Sequence, residues 1–214
     1  MALSYKERRK QDNENERRLR PLADAIYHRI GYQIERRNDK DSQVKGIDFV
    51  MDDPENPGKK IFVDEKAATS NKNGFCDSYH NLKTFCFETH TIVNKDNQGW
   101  LFASNSETTH YMLMYPRTFD RFLHVTDMEL FLIEKKFVLD AIKPLDEKYF
   151  VDDKGRKYRR LDRKAKLMYV ETLEEKPLLI LLNRDFLREH SIIQVDYSNA
   201  LMNNSINIER KDTA

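Results

Sequence analysis

The chain has 214 residues, enough for one core of ordinary size and too few for two comfortable domains. Charged residues make up 34% of it, yet Lys+Arg 37 almost cancels Asp+Glu 36, which excludes a global bias toward polyanions. Any contact with nucleic acid has to come from local patches.

The N-terminus, MALSYKERRKQDNENERR, has no apolar stretch of the secretory kind, and no later run reaches membrane-spanning length. The expectation is a cytoplasmic protein without a membrane partner. Residues 1–20 are almost all charged or amide-bearing and read as a basic arm, mobile or helical. Pro21 suits a first helical turn, and Leu22, Ile26, Ile30 and Ile34 recur at i+4, so an amphipathic helix is predicted from Pro21 to near Arg37. Glu35 lies on a neighbouring face of that helix.

IDFVM and KIFVDEKAA read as strands, and DDPENPGK between them forces a reversal that makes them antiparallel neighbours. NLKTFCFETHTIV, QGWLFA and HYMLMYP are rich in aromatic and β-branched residues and predict further strands. Thr126-Asp127-Met128-Glu129 fits a capping box, which predicts a helix through MELFLIEKKFVLDAI up to Pro144. EKYFVDDKGRKYRRL predicts a hairpin, LLILLN a short buried strand and RDFLREH a short helix, with a frayed tail after Asn203. Cys76 and Cys86 have neither CxxC nor zinc-ligand spacing. No glycine-rich phosphate loop or serine-nucleophile motif is present.

The chemistry concentrates between residues 46 and 66. Side chains alternate along a strand, so Asp64 and Lys66 point together while Glu65 takes the other face with Ile61 and Val63. If IDFVM pairs alongside, Asp48 comes within a strand spacing, roughly 4.8 Å, of Asp64. Two converging carboxylates repel, and a divalent cation removes the conflict. Other acid-x-lysine triplets, such as Glu134-Lys135-Lys136 and Asp146-Glu147-Lys148, lack an upstream strand with its own aspartate across a turn.

Gly46-Ile47-Asp48 followed by Val63-Asp64-Glu65-Lys66 resembles the motif of the PD-(D/E)xK nuclease superfamily. The resemblance implies an α/β fold with a restriction-endonuclease-like core, a central mixed β-sheet flanked by helices. It implies hydrolysis of DNA phosphodiesters with Mg²⁺ or Mn²⁺ as cofactor, Asp48 and Asp64 as metal ligands, and Lys66 as the catalytic lysine. Glu35 would stand for the acid that many members add from the helix before the sheet, and Glu88 for an auxiliary polar residue on a later strand. Two departures stand out: Ile47 replaces the family's proline, and Glu65 occupies a usually apolar position. A bulge would make Glu65 the ligand in place of Asp64.

The organisation expected is a basic arm over 1–20, a nuclease-like core over 21–125, and a C-terminal part over 126–214 that elaborates the same domain or contributes to a homodimer. The run from Lys154 to Lys166 contains Arg156, Lys157, Arg159 and Arg160, which are candidates for gripping DNA phosphates. The competing expectation is a catalytically inactive nucleic-acid-binding or interaction protein on the same fold.

Overall fold

The computed structural model describes residues 5–68, 82–92, 97–120, 124–142, 149–151, 157–160, 165–169, 178–198 and 205–210. The first element is α1 (Tyr5–Arg29), a single helix that runs through the expected arm and past Pro21. An interior proline removes one helical hydrogen bond and costs roughly 3 kcal/mol. Leu19, Ile26 and Tyr27 on the opposite, fully buried stripe offset that cost, at roughly 1.5–3 kcal/mol for each large apolar side chain. The helix ends where Gly31 takes a φ of 84°, with Gly31 N–H on His28 O and Tyr32 N–H on Tyr27 O. Its last residue, Arg29, lies eight residues before the expected end at Arg37. Beyond it Ile34–Arg36 forms a strand, β1, so Glu35 is not on a helix.

A short helix, α2 (Lys40–Val44), capped by Asp39, leads to β2 (Phe49–Asp52) and β3 (Lys60–Ala67). β4 (Thr84–Ile92), β5 (Asn97–Gln98), β6 (His110–Phe119) and β7 (Val125–Glu134) follow, then α3 (Lys135–Ile142). The remaining elements are β8 (Tyr149–Val151), β9 (Lys157–Arg160), β10 (Ala165–Tyr169), β11 (Leu178–Asn183), α4 (Arg184–Glu189), β12 (Ile193–Ser198) and β13 (Ser205–Arg210).

Among the described residues the strands form two sheets. The first has the order β1-β2-β3-β6-β7-β12-β13, antiparallel throughout except for the parallel pair β3–β6. The second has the order β5-β4-β11-β10-β9-β8. Phe49, Met51, Ile61, Val63, Met112, Met114, Leu130 and Leu132 meet α1 on one face of the first sheet. On the other face Tyr111, Leu113, Tyr115, Phe131 and Ile133 pack against Phe85, Phe87, Ile180 and Leu182 of the second sheet. The fold is mixed α/β with a large mixed sheet, and a second sheet covers the face where flanking helices are expected.

Three further expectations change. MELFLI belongs to β7 and only Lys135–Ile142 is helical, because Met128 to Ile133 are buried on both faces and so lack the alternation that marks a half-buried strand. Trp100 and Leu101 of QGWLFA sit in a turn after β5. The tail after Asn203 supplies β13, which pairs with β12 and extends the first sheet beyond β7. The boundary expected at residue 20 falls inside α1, and the one at 125 falls at the start of β7.

Candidate active site

The DDPENPGK turn sets β2 and β3 in register Phe49↔Val63, and Asp48 precedes β2 with its N–H on Val63 O at 2.9 Å. That anchor brings the Asp48 side chain to the end of β3. Its Oδ2 accepts the Glu65 main-chain N–H at 2.9 Å, its Oδ1 accepts from Arg20 of α1 at 2.5 Å, and its carboxyl hydrogen-bonds that of Asp64. Lys66 Nζ donates to Asp64 Oδ1 at 2.6 Å and stands 5.5 Å from the centroid of the Trp100 ring. Asp48, Asp64 and Lys66 are therefore one cluster, sited where α1 and the two sheets converge.

The pair of acids is electrically split. Burial pushes Asp64 well above the usual carboxylate range, and the Asp48 charge adds to it against the pull of Lys66. Burial acts on Asp48 too, but Lys66, the hydrogen bond with Asp64, Arg20 and the Glu65 N–H outweigh it and hold Asp48 below that range. Asp64 is thus pushed up while Asp48 is held down, the split that two carboxyls sharing one site produce. Lys66 is desolvated, which would lower it, but Asp64, Glu16 and Asp48 raise its pKa above the normal lysine value. It remains an ammonium at neutral pH.

Glu65 lies on the opposite face of β3, fully buried, with no bulge shifting its register. Tyr27 O–H donates to its Oε1 at 2.8 Å, Arg36 donates to both its oxygens, and Arg20 Nε lies 3.7 Å from Oε2. It is a core carboxylate paired on the α1 face, and it reaches Asp48 through its main-chain N–H and through Arg20, which lies against both acids. Glu35 is exposed on β1 and paired with Arg37 at 3.0 Å. The helix acid near the site is instead Glu16, half-buried and within electrostatic reach of Lys66, Asp48 and Arg20, with its pKa pushed up by burial. Sequence reasoning missed it by starting the helix at Pro21. Read as one helix, Leu19, Ala23 and Ile26 set the inner face, and Glu16 and Arg20 flank it four residues apart.

Glu88 stands on β4 between Phe87 and residue 89, on the side opposite the inward-facing Phe85 and Phe87. Lys157, Arg159 and Arg160 lie in β9, three strands beyond β4 in the second sheet, or about 14 Å at the usual strand spacing. Arg156 lies outside the described residues, as does Cys76.

Among the described residues no group of three or more His, Cys, Asp or Glu side chains is arranged to hold a metal ion. The two-carboxylate set still fits a hard cation of the Mg²⁺ type, which takes one or two protein carboxylates and completes its shell with water and substrate phosphate. Asp64 Oδ2 faces the backbone of Gly46, 3.9 Å from where a Cβ would stand there. Gly46 has a φ of 72°, and that same Cβ would meet Thr108 Oγ1 at 2.8 Å, so a side chain is excluded beside the acid. Comparison of the chain with family models, curated proteins and solved structures gives no match. No helix among the described residues is long and apolar enough to cross a membrane.

Proposed function

We propose that the protein is a metal-dependent nuclease that hydrolyses DNA phosphodiester bonds on a restriction-endonuclease-like core of the PD-(D/E)xK kind. The observation that carries this reading is the contact of the Asp48 and Asp64 carboxyls across adjacent strands with the Lys66 ammonium on the second of them. The burial of Glu65 adds support, since a position expected to be apolar is here a carboxylate neutralised on the α1 face.

Asp48 and Asp64 would hold Mg²⁺ or Mn²⁺, which when bound supplies Lewis acidity toward a phosphate oxygen and makes a coordinated water more acidic. The chain's own groups do the rest. Lys66 stays protonated, so its part is electrostatic: it offsets charge growing on the reacting phosphate and orients a water through its N–H donors. Arg20 holds Asp48 until a cation or substrate replaces it, and Glu16 balances the added positive charge from α1. The Glu65 N–H keeps Asp48 turned toward Asp64.

The test is cleavage of supercoiled and linear DNA with Mg²⁺ or Mn²⁺, stopped by EDTA. Asp64→Asn and Lys66→Ala should each lower turnover at least about a hundredfold while leaving the fold intact. Asn keeps the shape of Asp without the charge that holds a hard cation. The second reading, a nucleic-acid-binding protein without catalysis, is favoured by the Arg20–Asp48 ion pair, which occupies an oxygen the cation would need. DNA binding in EDTA with no cleavage under either metal would select that reading.

A further inference from the structure

The site holds one more cation than this mechanism uses. Lys135 opens α3 with its main-chain N–H on Thr109 O at 2.8 Å, and its half-buried ammonium donates to Ser106 Oγ at 2.9 Å. No carboxylate among the described residues forms an ion pair with it, although Asp64 is within electrostatic reach. An ammonium has three donors, and one of them is spent on a hydroxyl. Ser106 Oγ, Thr108 Oγ1 and Asp64 Oδ2 all crowd against Gly46, at 3.5, 2.8 and 3.9 Å from the point a Cβ would take. Lys135, through Ser106, therefore stands on the Gly46 side of Asp64, which is itself buried.

A lysine placed only to neutralise Asp64 would pair with it, as Lys66 does. Lys135 instead bonds a neutral hydroxyl and, among the described residues, keeps two donors unspent. A second observation lies beside Asp64: the Tyr111 hydroxyl, on the strand paired with β3 and buried in the field of Asp64 and Lys66, has no hydrogen-bond partner among the described residues. A buried O–H left unmade costs about 1–3 kcal/mol, and an entering phosphate oxygen removes that cost.

We propose that Lys135, seated by Ser106, is a phosphate-binding residue that takes a non-bridging oxygen of the DNA strand on the Gly46 side of Asp64. The inference rests on the nuclease reading, and its test separates the two. A short fluorescein-labelled duplex is bound to the full chain in EDTA across a salt series, using wild type, Lys135→Met and Lys135→Arg, with Mg²⁺-dependent cleavage followed in parallel. Met keeps the packing of the stem, and Arg restores the charge. Lys135→Met should weaken binding about tenfold and lower the slope of log affinity against log salt by about 0.9, the share of one phosphate contact. Lys135→Arg should recover both.

A wild type that cleaves, with Lys135→Met binding at unchanged affinity and slope, overturns this inference alone. A loss of affinity without a change in slope, or one that Arg fails to recover, overturns it as well, because it marks a structural role. A wild type that neither binds nor cleaves overturns both readings. A wild type that binds without cleaving overturns catalysis, and the Lys135 comparison still decides its own question. If Lys135→Met melts early, Lys135→Gln carries the same measurement.

Discussion

Two buried acids on the same face of the first sheet have opposite surroundings. Glu129 on β7 accepts from Arg184 and Arg188 of α4 and from Gln194 of β12, and the two guanidinium groups lie over the Tyr115 and Phe131 rings. Burial alone would raise it, but the two arginines outweigh burial and hold Glu129 below the usual range. Asp64 on β3 has one ammonium and a second carboxyl, and is pushed well above that range. A carboxylate that fastens a helix to a sheet is given a surplus of cations, whereas Asp64 is left short of them, as the proposed cation site requires. The first is neutralised by its own neighbours, and the second would, on the proposed reading, be completed by a bound cation.

The largest effect that tests this contrast is at Glu129. Glu129→Ala should cost about 3–5 kcal/mol, because removing one member of a buried ion pair leaves the others uncompensated. Urea unfolding at neutral pH measures it, and a loss below about 1 kcal/mol would erase the comparison. The pH dependence has a fixed sign. Glu129 has a lowered folded pKa, so its stabilisation is present above the ordinary Glu value and lost as pH falls through the folded one.

Glu65 sharpens the contrast because burial pushes it up as it does its neighbour Asp64, yet its oxygens are taken by Arg36 and Tyr27 much as those of Glu129 are taken by arginines. Tyr27→Phe removes one hydrogen bond to a fully buried carboxylate and should cost about 1.5–3 kcal/mol in unfolding free energy. Turnover at saturating DNA should change little, since Arg36 still holds Glu65 and the Glu65 N–H still reaches Asp48. A large fall in turnover with unchanged stability would move Glu65 into the chemistry.

The strands that carry Asp48 and Asp64 were legible because period-2 alternation flanks a Pro/Gly turn, and both signals are local. Alternation alone assigned Asp64 and Lys66 to one face and Glu65 to the other, the faces on which the structure has them. Met128 to Ile133 carry no such signal, because a strand buried on both sides is apolar at every position and copies a buried helix. Glu16 was hidden for a different reason. An exposed proline inside a helix looks like a helix start unless the packing that tolerates it is known, and that packing is a property of the whole sheet. The second sheet was legible only in part, as the hairpin and LLILLN, because what it covers is decided by pairings between residues far apart in the chain.

The smallest expected effect is at Asp64 itself, and its sign decides the most. Asp64→Asn should leave metal-free stability within about 1 kcal/mol of wild type at neutral pH, or raise it. A group whose folded pKa is raised contributes stability that is full below its unfolded value and is lost as pH rises through the folded value. Wild type should therefore match the Asn variant in acid, where Asp64 carries its proton, and fall behind it as pH climbs. The slope is opposite to that of Glu129, so one urea series at several pH values tests both acids. Lys66 does not reverse this, since Asp48 and Glu16 still face its ammonium when Asp64 is neutral. An Asn variant that equals wild type in acid but loses several kcal/mol at neutral pH would mean that the Asp64 charge is a net stabiliser paired with Lys66. Asp64 would then be of the Glu129 kind, and the cluster would be a fastening of β3 with no vacancy for a cation.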